Sequence, residues 1–274
     1  NDCKTLNEIL ISWEYFSVIH LAAIVGDPAC KLNQELAIKT NWDSSVWLLD
    51  RAKELGVSRF IFASTCSNYG KMSNSQSYVD ETSSLAPVSL YAELKVRFEN
   101  YMLNEEKHLD NFAPTSLRFS TVYGLSPRMR FDLTVNEFTK ELCNGRELMV
   151  FGEQFWRPYC HVEDFSNAFL TLLTSPVDKV AFSVFNVGDT SENYTKKMIV
   201  DEIIKLIPSA RINYVKKDED PRDYRVNFSK IKHELGFQIT KRVPDGISEI
   251  IEALRTGTFE DTEDQKYYNI PIKN

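Results

Sequence analysis

The sequence predicts an α/β protein built on a doubly wound parallel sheet. Short apolar runs at 16–21 and 59–63 alternate with longer segments of helical spacing in the first half of the chain. Gly56 and Gly145 follow two of these helical segments, as is typical of helix C-termini. Strands that alternate with helices of this length pair in parallel, because each helix returns the chain to the same end of the sheet.

Each element of the first half follows from its hydrophobic period. Segments with apolar residues three or four apart are predicted helices, and short apolar runs rich in Phe, Ile and Val are predicted strands. The predicted order is helix 2–11, strand 16–21, helix 33–55, strand 59–63, helix 85–106, strand 115–119 and helix 131–144.

The second half mixes the two patterns less regularly. The predicted order is strands 148–151 and 157–161, helix 163–173, strand 183–187, helix 196–206, strand 211–215, and helices 229–235 and 245–254. The final stretch, 256–274, is polar, and we expect a loosely held tail there.

Composition excludes several classes of partner. A net charge of −7 and a pI near 5.3 disfavour binding to nucleic acid or to an anionic membrane surface. No apolar run approaches membrane-spanning length, so we expect no membrane partner. The five cysteines are odd in number and lack paired metal spacing. Reduced thiols in a cytoplasmic protein, without a metal site, are therefore expected.

Three residues form the pattern of a proton-relay site for the oxidation and reduction of alcohols. Thr65 ends an apolar run, so a buried parallel strand is expected to deliver its hydroxyl at the strand's carboxyl end. Tyr91 and Lys95 are four residues apart, which places a phenol and an ammonium on one face of a helix. An ammonium there is expected to lower the Tyr91 pKa and make the phenolate a general base.

Seven segments in order carry a resemblance to a known family. The chain resembles an extended short-chain dehydrogenase/reductase of the NAD-dependent nucleotide-sugar epimerase/dehydratase family. The matching segments are Val18-Ile-His-Leu-Ala-Ala23, Ser64-Thr-Cys-Ser-Asn-Tyr-Gly70, Tyr91 with Lys95, Leu117-Arg-Phe-Ser-Thr-Val-Tyr-Gly124, Ser126-Pro-Arg-Met-Arg-Phe-Asp132, Arg157-Pro-Tyr-Cys-His-Val-Glu-Asp164 and Asp220-Pro-Arg-Asp-Tyr-Arg225.

The resemblance implies a Rossmann-like sheet with a smaller C-terminal substrate lobe. It predicts a partial dinucleotide-binding domain at 1–125, to which the chain returns at 158–190, and a substrate lobe from 126–157 and 191–274. The sequence contains no Gly-x-Gly-x-x-Gly turn, which in the family holds the cofactor pyrophosphate. About 60 residues of the family pattern are therefore expected to be missing at the start. A truncated or incomplete sequence, a wrongly placed start and a natural half-Rossmann protein all stay open.

Site residues follow from the positions that match the family. The resemblance implies catalysis by Thr65, Tyr91 and Lys95. It implies cofactor contacts from Ala22, Ala23, Asn41, Tyr91, Lys95 and Val122. It implies substrate contacts from Thr65, Thr121, Asn136, Arg157 and Arg222, with the two arginines holding a nucleotide diphosphate. By contrast, His20 is expected to be structural and His161 to be a packed aromatic neighbour.

The implied activity is NAD-dependent epimerisation of a nucleotide-diphosphate sugar, of the 4-epimerase type with a transient 4-keto sugar. Relatives that remove water carry an Asp-Glu pair where this chain has Cys66 and Ser67, so dehydration is disfavoured. One alternative is an NAD(P)H-dependent reductase of nucleotide keto-sugars, and NADP is not excluded as the cofactor. Another is a non-catalytic fragment or subunit that binds nucleotide sugar. The resemblance also implies a homodimer through helices 33–55 and 85–106.

Overall fold

A four-stranded parallel sheet forms the centre of the molecule. The computed structural model of the protein describes residues 2–71, 77–104, 112–220 and 222–270. Strands run in the order β1-β2-β3-β7, and all three neighbouring pairs are parallel. The sheet contains β1 (Ser17–His20), β2 (Arg59–Thr65), β3 (Ala113–Phe119) and β7 (Ser183–Val187). The predicted α/β class with a parallel sheet is confirmed.

Helices follow the strands as the alternation predicted. The first five are α1 (Cys3–Ile11), α2 (Asp27–Leu32), α3 (Gln34–Ile38), α4 (Ser44–Glu54) and α5 (Leu90–Met102). The others are α6 (Thr134–Cys143), α7 (Val162–Thr174), α8 (Val177–Val180), α9 (Lys196–Leu206), α10 (Ser229–Leu235) and α11 (Val243–Arg255). In the part of the chain that the structure describes, no helix is long and apolar enough to cross a membrane.

Two predicted helices differ in detail. The segment predicted as one helix at 33–55 consists of α3, a π-helical turn at Lys39–Asp43, and α4. The helix predicted at 85–106 begins only at Leu90, and its predicted end lies outside the described residues. Ser89 sets this start, because its hydroxyl accepts a hydrogen bond from the Ala92 amide and caps α5.

Alternate residues of β2 pack on opposite faces of the sheet. Phe60 and Phe62 are fully buried against Phe98 of α5 and Leu49 of α4. Ile61 points to the other face, where it packs in a cluster with residues of α7 and α10. Because both faces are covered, the strand is a continuous apolar run and not an alternating one.

A buried ion pair ties α5 to β3. The Arg118 guanidinium donates to the Glu99 carboxylate, and both side chains are almost completely buried. The Ser116 hydroxyl donates to the same carboxylate at 2.6 Å, and Arg118 Nη1 donates to the Tyr69 hydroxyl at 3.0 Å. Each charge therefore has a partner, as burial at this depth requires.

Two smaller sheets and three helices build the C-terminal lobe. One sheet pairs β5 (Glu147–Phe151) with β9 (Arg211–Val215) in parallel. The other sheet orders β4 (Thr121–Tyr123), β6 (Trp156–His161) and β8 (Asn193–Thr195) as β4-β6-β8. Helices α6, α9 and α11 pack together over an apolar core beside them. The domain boundaries drawn from the sequence stay a prediction.

The expectation of a loose tail is wrong for residues 259–270. The Phe131 ring lies 5.2 Å from the Phe259 ring and 5.5 Å from the Tyr267 ring, and Tyr267 is buried. Lys140 Nζ donates to Glu263 at 2.9 Å and to the Tyr268 hydroxyl at 2.8 Å. Tertiary contacts with α6 and the segment before it hold this polar stretch. Such contacts produce no hydrophobic period in the sequence. The last predicted tail residues, 271–274, lie outside the described residues.

Candidate active site

A cleft of about 420 Å³ opens where β2 and β3 end, between the parallel sheet and the C-terminal lobe. Ligands of open α/β sheets bind at this edge, outside the carboxyl ends of the strands. Hydroxyl side chains on its wall are Thr65, Ser67, Tyr91, Ser120, Thr121, Thr134, Tyr159 and Tyr224. The charged side chains on its wall are Asp27, Arg130, Asp132, Arg157, Lys196, Asp220 and Arg222, which are four cations and three carboxylates. The cleft therefore has a small excess of positive charge.

Thr65 is the last residue of β2 and lies on the cleft wall, as predicted. Its hydroxyl oxygen accepts a hydrogen bond from the Ser67 amide at 3.1 Å and so caps the short 3₁₀ turn at Cys66–Tyr69. That contact uses one lone pair, so the hydroxyl keeps a donor and a second lone pair for a ligand.

Tyr91 and Lys95 lie one turn apart on α5, but only Tyr91 is on the cleft wall. Lys95 is buried behind it, and its Nζ lies 5.8 Å from the centre of the Tyr91 ring. The ammonium donates to Ala63 O of β2 at 2.6 Å and lies 4.5 Å from the Phe62 ring centre. The predicted shared face is thus present, with the ammonium held between helix and sheet.

The pKa of Tyr91 is raised and not lowered, which differs from the sequence-based expectation. Enclosure of the phenol is the largest cause, and repulsion between the phenolate and the ionised forms of Cys30 and Asp27 adds to it. The positive charge of Arg130 acts in the opposite direction. Burial also lowers the pKa of Lys95 to about 7, because the charged form loses its hydration.

Arg157 and Arg222 both reach the cleft wall, where each is paired with a carboxylate. Arg157 Nη2 lies 3.0 Å from Asp220 Oδ1. Arg222 Nη1 lies 3.1 Å from Asp27 Oδ2, and the Ser89 hydroxyl donates to the other oxygen of Asp27 at 2.6 Å. The two predicted phosphate-binding arginines are therefore together, and nearby carboxylates balance their charges.

Thr121 and Val122 lie on the cleft wall, whereas Asn136 lies behind it. The Asn136 side chain accepts from the Gly124 amide at 3.1 Å and donates to Arg130 O at 2.9 Å. Gly124 has a φ of +105°, and a Cβ there would lie 2.1 Å from the His161 ring. Asn136 and Gly124 thus fix the path of the loop that carries Arg130, and the structure does not bring the Asn136 amide to the cleft.

The residues predicted near a cofactor surround the end of β1. Ala22 is exposed and lines an apolar groove of about 360 Å³ beside β1, and Ala23 follows it, half-buried. Asn41 is buried in the π-helical turn, and its amide exchanges hydrogen bonds with both backbone groups of Ile24 at 2.8 and 2.9 Å. Asn41 therefore holds the backbone of the loop that follows β1.

The two histidines singled out in the sequence have structural contacts. The His20 ring is buried, lies 2.8 Å from the Ser45 hydroxyl, and has its pKa lowered to about 4 by burial. His161 Nε2 lies 2.6 Å from Glu249, and its ring packs edge-on against Tyr123. Across the described ranges, no group of three or more His, Cys, Asp or Glu side chains is arranged to hold a metal ion.

Three of the cleft-wall residues that sequence reasoning missed come from distant segments. Lys196, the first residue of α9, donates from Nζ to Phe151 O at 2.7 Å, and burial lowers its pKa. Asn269 and Ile270 reach the wall from the C-terminal segment. None of the three belongs to a local motif, because distant segments bring them to the cleft.

A comparison with protein families matches residues 3–188 to the NAD dependent epimerase/dehydratase family. The chain belongs to this family. The match spans the whole parallel sheet and includes Thr65, Tyr91 and Lys95. The match to the family therefore covers more than half of the chain.

Two curated relatives align over most of the chain. It is 26% identical over 269 residues to UDP-glucuronate 4-epimerase 1 of Arabidopsis thaliana, which covers 92% of this chain and 62% of the plant protein. It is 28% identical over 261 residues to dTDP-4-dehydro-6-deoxyglucose reductase of Escherichia coli, which covers 92% of this chain and 79% of the reductase. This chain thus spans less than two thirds of the plant epimerase.

The fold matches a solved member of the same architecture. UDP-glucose 4-epimerase of Thermotoga maritima, solved with UDP-glucose, superposes with a TM-score of 0.81. The superposition covers 94% of this chain and 83% of that protein at 23% sequence identity. At this identity the similarity establishes a shared fold.

Proposed function

We propose that the protein is an NAD-dependent nucleotide-sugar epimerase of the 4-epimerase type. The observation that carries this proposal is the placement of Thr65 and Tyr91 on one wall of the cleft that also holds Arg157 and Arg222. Hydroxyl groups suited to a sugar and guanidinium groups suited to a diphosphate therefore share one site. The similarity to UDP-glucuronate 4-epimerase 1 supports the same substrate class.

Arg157 and Arg222 are the proposed diphosphate ligands. Guanidinium groups match phosphate oxygens in geometry and stay charged at all working pH values. Asp220 and Asp27 hold the two arginines in place in this structure. Bound phosphate oxygens would compete with these carboxylates, so both ion pairs are expected to rearrange when the substrate binds.

The described residues fit the nicotinamide end of NAD. Lys95 Nζ donates to Ala63 O, and an ammonium has three N–H donors, so it has capacity for ribose hydroxyls. Tyr91 and Val122 lie on the adjoining wall, and Ala22 and Ala23 leave room for a close approach to the backbone at the end of β1. The sequence has no Gly-x-Gly-x-x-Gly turn, so we assign residues to this end of the cofactor alone. NADP stays an alternative.

The proposed proton path runs through Thr65 and Tyr91. Tyr91, as phenolate, accepts the proton of the sugar 4-hydroxyl and returns it after the 4-keto sugar has rotated in the cleft. This role requires a Tyr91 pKa below the raised value that enclosure gives it, and the positive charge of Arg130 acts in that direction. Thr65 bridges the sugar oxygen and the phenol, and Lys95 supplies positive charge one helical turn behind. The chemistry that NAD supplies when bound is reversible hydride exchange with carbon 4 of the sugar.

The residues after Thr65 favour epimerisation over dehydration. Loss of water from the sugar needs an acid and a base in addition to the Tyr91 pair. Cys66 is fully buried, donates to Arg118 O at 3.1 Å, and has its pKa raised well above the usual thiol value by burial. The Ser67 hydroxyl is far less acidic than a carboxyl group. Neither side chain can perform acid–base chemistry near neutral pH.

A keto-sugar reductase is the second candidate function. The similarity to dTDP-4-dehydro-6-deoxyglucose reductase favours it, because that protein matches the chain over a comparable length. The same Thr65 and Tyr91 would then donate a proton to a supplied 4-keto sugar in a single reduction. The two functions differ in whether reduced cofactor is consumed.

Incubation of the chain with NAD and either UDP-glucose or UDP-glucuronate tests the proposal. Proton NMR of the anomeric region would show the 4-epimer accumulating to equilibrium, while absorbance at 340 nm stays constant. Consumption of NADH in step with reduction of a dTDP-4-keto sugar would instead assign the reductase function. A folded chain that performs neither reaction would contradict both and indicate a non-catalytic binding protein.

We also propose a homodimer that forms through α4 and α5, since these helices pack side by side on one face of the sheet. The Tyr101 hydroxyl of α5 donates to Asp50 of α4 at 3.2 Å, and the Arg97 guanidinium lies 3.7 Å from the centre of the Trp42 ring. These contacts fix the relative position of the two helices. Sedimentation velocity at micromolar concentration tests the proposal, and a monomer across the range would contradict it.

A further inference from the structure

A segment near the C-terminus reaches the wall of the cleft with its last two described residues, Asn269 and Ile270. We call residues 259–270 the C-terminal strap. Its base is anchored on the C-terminal lobe by the packing of Phe259 and Tyr267 on Phe131, and by the Phe131 amide, which donates to Tyr267 O at 3.1 Å. Gln265 Nε2 donates to Ile270 O at 3.0 Å and folds the tip back onto the strap. The strap therefore has a defined path.

The tip of the strap contacts both lobes. Asn269 and Ile270 lie on the cleft wall. Asn269 Nδ2 donates to Val25 O at 3.3 Å, in the loop that follows β1. Arg128 Nη2 donates to Asn269 Oδ1 at 3.1 Å from the C-terminal lobe. Asn269 thus connects the two sides of the cleft.

The tip lies beside a charged pair on the cleft wall. The Asn269 amide donates to Asp132 Oδ2 at 3.3 Å. The Asp132 carboxylate also accepts two hydrogen bonds from Arg130, at 2.6 and 2.8 Å. Arg130 is close enough to Tyr91 for its charge to act on the phenol. The strap tip therefore lines the same cleft as Tyr91, next to the Arg130–Asp132 pair.

We propose that Asn269 and Ile270 form a wall that binds the hexose ring and so determines which sugar is accepted. The inference rests on the proposed function, because it assigns the sugar end of that same site. Asn269 keeps one N–H and one carbonyl lone pair beyond its contacts with Val25 and Arg128, and these suit a sugar hydroxyl. Ile270 presents an apolar side chain, which suits the C–H face of a sugar ring.

The proposal predicts different effects on two ligands. UDP lacks the hexose, so a residue that contacts only the hexose changes the affinity for UDP-glucose and leaves the affinity for UDP unchanged. Removal of one neutral hydrogen bond corresponds to about a fivefold loss of affinity. A residue that merely supports the fold would change both affinities together, or neither.

Isothermal titration of the chain with UDP and with UDP-glucose, in the presence of NAD, tests the inference. For Asn269→Ala, which removes a hydrogen bond, and for Ile270→Ala, which removes apolar contact with the ring, we expect the Kd for UDP-glucose to rise about fivefold and the Kd for UDP to stay within about twofold. Asn144→Ala, at an exposed position after α6, is the matched control and should change neither.

The outcomes separate this inference from the proposed function. If the wild-type chain binds both ligands and the ratio of the two Kd values is the same in all variants, the inference is overturned and the proposed function stands. An equal weakening of both ligands, accompanied by a lower Tm, would assign the strap a structural role and overturn it too. Binding of neither ligand by the wild-type chain would overturn both proposals.

Discussion

Arg222 Nη1 lies 3.1 Å from Asp27 Oδ2, so an ion pair crosses the cleft from the C-terminal lobe to the start of α2. The pair joins a proposed phosphate ligand to a carboxylate that the Ser89 hydroxyl also holds, at 2.6 Å. Because Ser89 caps α5, the contact connects Arg222 to the helix that carries Tyr91. Asp27 thus keeps Arg222 in position and also competes with phosphate oxygens for it.

Removal of this competitor should strengthen nucleotide binding. We expect Asp27→Asn to lower the Kd for UDP by up to about fivefold, because a partly exposed ion pair contributes about 1 kcal/mol or less. Isothermal titration at low salt measures the effect, and Asp178→Asn on the exposed face of α8 is the control. Weaker binding of UDP by Asp27→Asn would show that Asp27 orients Arg222 more than it competes for it.

Burial of Lys95 should make stability depend on pH. The folded-state pKa of Lys95 is about 7, below its usual value of 10.5, so the unfolded chain binds more protons between these two pH values. The contribution of Lys95 to the free energy of unfolding therefore rises with pH across that window and is constant below it. Relative to Lys95→Met, the wild type should gain more than about 2 kcal/mol between pH 7 and pH 9.5.

Urea unfolding at several pH values measures this difference. Lys205→Met, on an exposed part of α9, is the control, and its difference from the wild type should lack this rise. A difference between the wild type and Lys95→Met that stays flat from pH 7 to pH 9.5 would mean that Lys95 keeps its ordinary pKa in the folded protein.

The Glu99–Arg118 pair should be sensitive to removal of one charge. Glu99→Gln leaves the Arg118 guanidinium buried without its counter-charge, so we expect the free energy of unfolding to fall by about 3 kcal/mol. Urea unfolding at neutral pH measures it, with the exposed Glu252→Gln on α11 as the control. A loss of less than about 1 kcal/mol would show that Ser116 and Tyr69 are sufficient to accommodate the guanidinium.

The parallel sheet could be predicted because its strands carry the signal of burial in their own residues. β2 is an apolar run that ends at Thr65, and both of its faces are covered, as the run indicates. Helix α2 was not predicted, because its six residues at Asp27–Leu32 are too few to show a helical period. The strap was missed for another reason. Its aromatic residues are held by Phe131, more than 120 positions away, and contacts of that kind leave no local pattern.

The motifs predicted where the polar residues lie better than they predicted which groups those residues bond to. Thr65 and Tyr91 reach the cleft because a strand end and a capped helix set their direction. Arg157 reaches it from the start of β6 and Arg222 from a turn. The amide of Asn136 instead bonds to nearby backbone, since a buried amide needs partners and loop backbone groups were available. The raised pKa of Tyr91 could not be foreseen, because enclosure of the phenol depends on the tertiary fold.

The turnover of Tyr91→Phe shows whether Tyr91 carries the proton. Phenylalanine keeps the ring of Tyr91 and removes the hydroxyl that exchanges the proton, so we expect the kcat of epimerisation to fall by about 10³-fold. The Kd for UDP-glucose should stay within about twofold, and Tyr214→Phe at an exposed site should behave as the wild type. Epimerisation by Tyr91→Phe at the wild-type rate would contradict the claim that Tyr91 carries the proton.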